Sequence, residues 1–326
     1  MRRLLAAVFV VSVVFAVTNV HAGSTPGSIV GWGDQVVGVD LSGGFAKVAA
    51  GGQHSLGLKQ DGSIVAWGDN SYGQCNIPSP NSGFIAIAAG DWHSLGLKQD
   101  GSLVAWGRNN YGQCDIPSPN SGFIAIAAGY GHSLGLKQDG SIVAWGNNGE
   151  GQCNVTSPNT GFIAIAAGMW HSLGLKQDGS IVAWGSNYYG QCNIPSPNSG
   201  FIAISAGGYH SLGLKQDGSI VAWGSNNSGQ CNIPSPNSDF IAISAGGSRS
   251  LAIKKVCQYK LSGDLNDDCK VGWEDVRIFT RQWLDSDGSA NLDGFNGINF
   301  LDFALLADNW LIDCNIDPNN PACIPK

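Results

Sequence analysis

The stretch Phe84–Gly122, FIAIAAGDWHSLGLKQDGSLVAWGRNNYGQCDIPSPNSG, decides how the rest of the chain is read. Nearly the same letters return from Phe45, Phe123, Phe162 and Phe201, always at a spacing of 39 residues. A further copy begins at Phe240 and stops half-way, at Lys255. Self-similarity at such a period means supersecondary units that are stacked or set in a ring. Within one unit, Phe84–Gly90, His93–Gln99 and Ser102–Gly107 are short apolar runs bounded by glycine, which read as strands. Asp100-Gly101 between the last two is a hairpin signal, suited to the φ > 0 positions of a type I′ turn. Arg108–Gly122, rich in Asn, Gly, Ser and Pro, reads as the connection to the next unit. Each repeat is thus an antiparallel sheet of three strands, with room for a short irregular fourth. One such sheet cannot bury both faces alone, so the units pack on their neighbours as a solenoid or a propeller.

The ends of the array decide between those two. The half-copy Phe240–Lys255 supplies two strands and lacks the third. Gly27–Gly33, GSIVGWG, matches the third-strand segment Gly62–Gly68, with Gly31 in place of Ala66. A linear solenoid has no reason to split one unit between its termini, whereas a closed ring does: the N-terminal strand completes the last sheet and removes open edges. Gly-Trp-Gly or Ala-Trp-Gly recurs at Trp32, Trp67, Trp106, Trp145, Trp184 and Trp223, one per blade. The expected fold is all-β, a six-bladed β-propeller over 27–255 closed by its N-terminal strand, with a small α-helical module behind it.

The pattern Ala-Gly-x-x-His-Ser-Leu, Asp-Gly-Ser-x-Val-x-x-Trp-Gly-x-Asn, Gly-Gln resembles the regulator-of-chromosome-condensation repeat, a propeller family, across Gly27–Lys255. The compact repeat is more similar to the bacterial branch, which includes a secreted β-lactamase inhibitor, than to the longer-bladed eukaryotic nucleotide-exchange factor. Seven blades are usual in that family; this chain carries motifs for six.

Before the repeats, Arg2-Arg3 precedes the apolar run Leu4–Val17, and Val20-His21-Ala22 offers small residues for cleavage before Gly23. That predicts a secretory signal peptide over 1–22, too short in its apolar part to span a bilayer, and a secreted or cell-surface protein. No later stretch reaches spanning length, so no membrane-spanning segment is expected. Of the chain's 24 acidic and 17 basic residues, 11 and 3 fall in Gly263–Asp313, which leaves 13 and 14 elsewhere. The net charge of −7 therefore belongs to the C-terminal module. A nearly neutral repeat region has no electrostatic footprint for nucleic acid, and the chromatin role of the eukaryotic relatives is not expected here.

Past a short linker at 256–262, the module at 263–313 has its own signature. Asp264, Asn266, Asp268 and Asp275 stand at positions 1, 3, 5 and 12 of a loop in which the carbonyl of Lys270 takes position 7. This is the spacing with which a tight loop wraps Ca²⁺. An amphipathic segment follows, Trp273–Leu284, with Val276, Phe279, Trp283 and Leu284 on one stripe. A second loop runs from Asn291 to Asp302, with Asp293 and Asn299 inside it, and is followed by the helical pattern Phe303–Leu311. Paired loop–helix units of this kind resemble the dockerin family, whose resemblance implies a cohesin-like partner, and aspartate at position 12 fits it. Two departures stand out. Cys269 holds the position where glycine makes the sharp turn, and Phe295 holds a ligand position of the second loop. The first loop is the better Ca²⁺ site; an acidic loop without metal is the competing reading, and a stronger one for the second loop.

The nine cysteines fall into two sets. Cys75, Cys114, Cys153, Cys192 and Cys231 recur once per blade, too far apart for disulfides, and read as buried thiols. Cys257, Cys269, Cys314 and Cys323 flank or enter the acidic module, the last two in the tail at 314–326, and could staple it in an exported protein. His54, His93, His132, His171 and His210 occupy equivalent positions, with Arg249 in the sixth. One residue type at five equivalent points suits a strand-start hydrogen bond inside each blade better than a metal or catalytic site. No nucleophile–base–acid set, phosphate loop or carboxylate pair is present, so an enzyme is not expected.

Differences between the copies concentrate in two places: the pair before each His and the segment after each Trp-Gly. If the first strand runs up, both segments lie at the top and the uniform Asp-Gly turns at the bottom. The variable side then carries Tyr72, Trp92, Arg108, Tyr111, Tyr130, Trp170, Tyr188, Tyr189 and Tyr209. Aromatics with arginine, ringed by Asn and Ser, are the material of binding hot spots. The bland alternative is drift at tolerant loops, the rings packing locally between blades. The expectation is an exported, non-enzymatic binding protein: the aromatic side takes a protein, including a secreted enzyme to be inhibited, or a glycan. The Ca²⁺ module docks it onto an extracellular assembly. A structural surface protein with no specific ligand is the other reading.

Overall fold

The computed structural model describes residue 41 and residues 43–255, 259–261 and 323–325. The expected signal peptide, the expected closing strand at 27–33 and both expected calcium loops with the segments after them lie outside those residues. The chain divides into two compact units, Met1–Ile253 and Lys254–Lys326. All regular structure among the described residues is β-strand, and none of it is a helix long and apolar enough to cross a membrane.

In the first unit the predicted triplets are present. β1 (Phe45–Ala50), β2 (His54–Lys59) and β3 (Ile64–Gly68) form one antiparallel sheet in that order. β4 (Phe84–Ala89), β5 (His93–Lys98) and β6 (Leu103–Gly107) repeat it, as do β7 (Phe123–Ala128), β8 (His132–Lys137) and β9 (Ile142–Gly146). So do β10 (Phe162–Ala167), β11 (His171–Lys176) and β12 (Ile181–Gly185), and then β13 (Phe201–Ala206), β14 (His210–Lys215) and β15 (Ile220–Gly224). β16 (Phe240–Ala245) and β17 (Ser250–Lys254) form a two-stranded sheet. In the second unit, β18 (Tyr259–Leu261) pairs antiparallel with β19 (Cys323–Pro325).

The turn between the second and third strands departs from the expected type I′. That turn needs φ > 0 at both central residues. Here only the glycine has it: Gly62 at 77°, Gly101 at 78°, Gly140 at 76°, Gly179 at 77° and Gly218 at 78°. The loop is therefore one residue longer, with the Gly62 amide donating to the Lys59 carbonyl at 3.1 Å and the Lys59 amide to the Ser63 carbonyl at 2.8 Å. The Asp61 carboxylate fixes it, accepting from both the amide and the hydroxyl of Ser63.

Packing lies between blades. The face of one sheet, Leu134, Leu136 and Ile142, meets Phe162, Ile165 and Trp184 of the next, all with 5% exposure or less. The other junctions repeat this set, with Ile87 only partly buried in one and no tryptophan among the described residues of the last. Burying each such side chain contributes about 1.5–3 kcal/mol relative to leaving it exposed, so the repeat is stable only next to its neighbours. Each junction is also pinned by polar bonds. The Trp145 indole donates to the Gln113 carbonyl at 2.9 Å, and Trp106, Trp184 and Trp223 do the same with Gln74, Gln152 and Gln191.

Two expectations are corrected here. The histidines do not bond within their own blade: His54, His93, His132, His171 and His210 each reach Ser94, Ser133, Ser172, Ser211 and Ser250 of the next one. The reason is the glycine before each of them. A Cβ on Gly90 would collide with the His93 ring and the Gly129 carbonyl, so its absence lets the ring cross to the neighbour. The five repeat cysteines are free, as expected, but half-buried rather than buried. Their thiols point at a backbone carbonyl six residues back, Cys114 Sγ at 3.4 Å from the Arg108 oxygen. Burial pushes the Cys114 thiol up to about 12 and the Cys75, Cys153 and Cys192 thiols to about 11, so they are inert.

Candidate functional site

The two variable segments meet across each blade boundary, because the turn before one His lies beside the loop leaving the preceding blade. Tyr72, from the loop after β3, stands edge-on to Trp92, before β5, with ring centroids 5.4 Å apart. Tyr189 and Tyr209 repeat this at 5.2 Å, and Tyr188 stands edge-on to Tyr189 at 4.9 Å. Tyr130 and Trp170, both from turns before a His, lie 4.8 Å apart. Edge-on rings at these separations are favourable contacts. The rings therefore pack on one another and still present surface: Tyr188 is 85% exposed, while Tyr72, Tyr111 and Tyr189 are near 44%.

The loops that carry them are rigidly built. Asn109 caps its loop twice, its carbonyl oxygen accepting from the Cys114 amide and its amide donating to Asp115. The Gln113 side-chain oxygen accepts from the Tyr111 amide at 2.9 Å. The same bonds recur in the other blades, as at Asn187, Cys192, Gln191 and Tyr189. Uniform scaffolding thus holds variable tips.

Two clusters of unlike charge result. In the first, the Arg108 guanidinium lies 5.1 Å from the Tyr72 ring centre and 5.6 Å from that of Tyr111. Its Nε is buried without a hydrogen-bond partner, so ring faces hold it rather than acceptors. Asp91 is buried beside it; burial pushes its carboxyl up to about 6, against the pull of a Trp92 hydrogen bond and the Arg108 charge. In the second, Glu150, Trp170, Ser186, Tyr188, Tyr189 and Tyr209 surround a depression of about 310 Å³. All nine residues expected on the variable side fall into these clusters or the Tyr130–Trp170 pair that adjoins the second. Glu150 and Ser186 belong to the variable segments but not to the expected binding set. The signal for them was the same variable segment after Trp-Gly, read for its rings alone.

Among the described residues no group of three His, Cys, Asp or Glu side chains is placed to hold a metal. The expected ligands Asp264, Asn266, Asp268, Lys270 and Asp275, and Asn291, Asp293, Asn299 and Asp302, lie outside them.

Five segments match the family model for the regulator of chromosome condensation (RCC1) repeat: residues 45–74, 84–113, 123–152, 162–191 and 201–230. The comparison with curated proteins returns no match. Among solved structures, the crystal structure of Kap60 bound to yeast RCC1 (Prp20) is similar at 21% identity, over 64% of this chain and 68% of that one, with a TM-score of 0.55. The ectodomain of the Physcomitrella patens receptor kinase CR4 is 25% identical over 61% of this chain, which spans only 55% of that ectodomain, at a TM-score of 0.51. Human WBSCR16 is 19% identical over 65% of this chain and 72% of its own, at 0.52. Identities this low speak for fold. The chain carries RCC1 repeats, folded as an all-β, RCC1-like array of the propeller type.

Proposed function

We propose that this is an exported binding protein whose aromatic side captures a protein or a glycan, while the C-terminal module holds Ca²⁺ and docks the molecule to an extracellular, cohesin-like partner. One observation carries the first half of the reading: the positions at which the repeats differ are the positions that gather into exposed aromatic clusters across blade boundaries. A scaffold that is uniform below and varied above is what a binding surface requires. RCC1-like propellers also serve as protein-binding scaffolds; one structure of yeast Prp20 is described together with its binding to Gsp1p and histones. The basic counterpart that nucleic acid needs is missing from the composition, so the partner is read as protein or glycan. The role is read as non-enzymatic, with inhibition of a secreted enzyme as one form of capture and a ligand-free structural role as the rival.

For the module, the donor set is the test. Asp264, Asn266, Asp268 and Asp275 with the Lys270 carbonyl are all oxygen, which fits Ca²⁺ and not a thiolate- or imidazole-loving metal. In the second loop Phe295 removes one donor, so the fit is poorer. Pull-down from secreted proteins, beside a glycan array, tests the reading. Specific capture by the wild-type chain that is lost when Trp92 and Trp170 become alanine supports it; capture indifferent to both leaves the structural role.

A further inference from the structure

The two clusters on the variable side are the same site, two repeats apart, in different states of filling. Adding 78 to each residue of the first gives the second: Trp92 becomes Trp170, Tyr111 becomes Tyr189, Arg108 becomes Ser186 and Tyr72 becomes Glu150. In the first cluster the slot between the blades is occupied by the chain's own cation, the Arg108 guanidinium against the faces of Tyr72 and Tyr111. In the second, serine stands where that arginine would start, and a depression of about 310 Å³ lies between the rings. Two rings and a charge are also added to its wall. Tyr209 replaces Gly131, Tyr188 replaces Asn110, and Glu150 brings a carboxylate that no Lys or Arg side chain pairs with among the described residues.

We infer that the depression between Glu150, Trp170 and Tyr189 takes a guanidinium or ammonium side chain presented by a protein partner, in the place that Arg108 fills in the other cluster. The physical case has three parts. Tyrosine and tryptophan faces attract cations through the ring quadrupole, and rings set at 79° and 64° to one another wall a cation on several sides. Glu150 adds the opposite full charge at the rim, where Arg108 has Asp91 beside it in the first cluster. The chain itself supplies the precedent, since the homologous slot already holds a cation by its ring contacts. A sugar would also stack on these rings, but it has no use for an unpaired carboxylate at the cost of the tyrosine found at that position in the first two blades.

This inference rests on the aromatic side being the binding surface, and its test separates the two. N-acetyl-arginine amide is titrated against the full ¹⁵N-labelled chain while the Trp170 indole resonance is followed; the citrulline amide is the neutral isostere, and N-acetyl-lysine amide and cellotriose are run beside it. Saturable shifts are expected for arginine and lysine, about tenfold weaker for citrulline. Glu150→Gln should weaken arginine binding about tenfold, and Ser186→Arg should abolish it by filling the slot from within. Glu150 is at an exposed loop tip, and Ser186 is the buried residue just after β12, where the first cluster accommodates an arginine; the melting temperature of each variant checks that it is folded. Equal binding of arginine and citrulline, indifference to Ser186→Arg, or binding of cellotriose alone overturns the inference. If partner capture is lost in the Trp92→Ala, Trp170→Ala chain but unaffected by Glu150→Gln and Ser186→Arg, the binding surface stands and the cation slot falls.

Discussion

His93 Nε2 lies 3.0 Å from Ser133 Oγ, across a blade boundary, and Ser133 Oγ in turn donates to the Gln113 carbonyl at 2.8 Å. A serine has one proton to give, so the proton in the His–Ser bond belongs to the histidine. That fixes the imidazole in its neutral Nε2–H form. Nδ1 is then a lone pair, and it is buried with no donor opposite it in all five histidines. Protonating it would place a charge where nothing can solvate it.

The first prediction is acid lability. Burial, with the charges of neighbouring histidines, pulls His93 and His171 down to about 3, and burial pulls His132 down to about 4. His54 and His210 lie near 4 for the same leading reason. A depressed histidine favours folding in full above its unfolded value near 6.5, and that contribution is lost as pH falls towards 3–4, because the unfolded chain takes up the protons. Asp91 acts the other way, weakly, since its raised carboxyl favours folding at low pH and loses that above about 6. Five histidines outweigh one aspartate. The melting temperature should fall steadily from pH 6.5 to 4, and His132→Gln should flatten the slope by about a fifth. A melting temperature constant across that range would show that the ring is hydrated.

A second expectation concerns the rings. Trp92 and Trp170 sit in turns, half-buried, each against a tyrosine. Losing one such ring contact costs about 0.5–1.5 kcal/mol, a few degrees in a unit of this size. Trp92→Ala with Trp170→Ala should therefore stay folded and lose its partner. Unfolding of the double variant at room temperature would mean that the rings serve packing alone.

Sequence reading reached the strands because each is a short apolar run closed by glycine, and repetition confirmed every boundary five times over. It reached the variable side through strand parity. It missed what depends on the neighbour. For the histidines, sequence suggests a strand-start bond inside the blade because it shows which residues recur, not which copies touch. The Asp-Gly turn was given the wrong type because the motif is shared by loops of two and three residues, and the third residue is visible only in the register of Leu58 with Ile64. Glu150 was passed over because it is the one position in its column that is charged, and its meaning comes from Ser186, which it meets only in space.

The third prediction is for the acidic module. Full-length protein should show two thermal transitions, and the one assigned to 263–313 should rise with Ca²⁺ by RT ln(1 + [L]/Kd), about 2.7 kcal/mol at a hundredfold excess. Asp264→Ala should remove the response and Asn291→Ala should leave most of it, because Phe295 already weakens the second loop. Equal responses in the two variants, or none in the wild type, refute the assignment of the first loop.

The last prediction concerns the two ends of the blade array. Leu212 and Leu214 of β14 are 2% and 1% exposed, since the next blade covers them. Their counterparts in β17, Leu251 and Ile253, are 68% and 58% exposed. At the other end Val48 is 61% exposed, although Ile165 and Ile243 in the same column are 0% and 6%. The described array thus ends in two apolar half-junctions of the kind that all its inner junctions join. Among the described residues the β17 edge has no third strand, and the Gln230 carbonyl receives Ser250 Oγ at 2.7 Å but no indole. Gly27–Gly33 has the missing sequence, and Trp32 is the indole that suits Gln230 as Trp223 suits Gln191. Closing the array this way would bury one tryptophan and two aliphatic side chains, on the order of 5 kcal/mol in all, or roughly 10–20 °C for a unit of this size. Deleting Gly23–Gly33 should lower the melting temperature by an amount in that range, and Trp32→Ala should account for about half of it. Hydrogen exchange gives the independent readout: the amides of Ser250–Lys254 should be protected in the wild type and exchange freely in the deletion. If both chains melt together and exchange alike, the two ends are joined by something other than that strand.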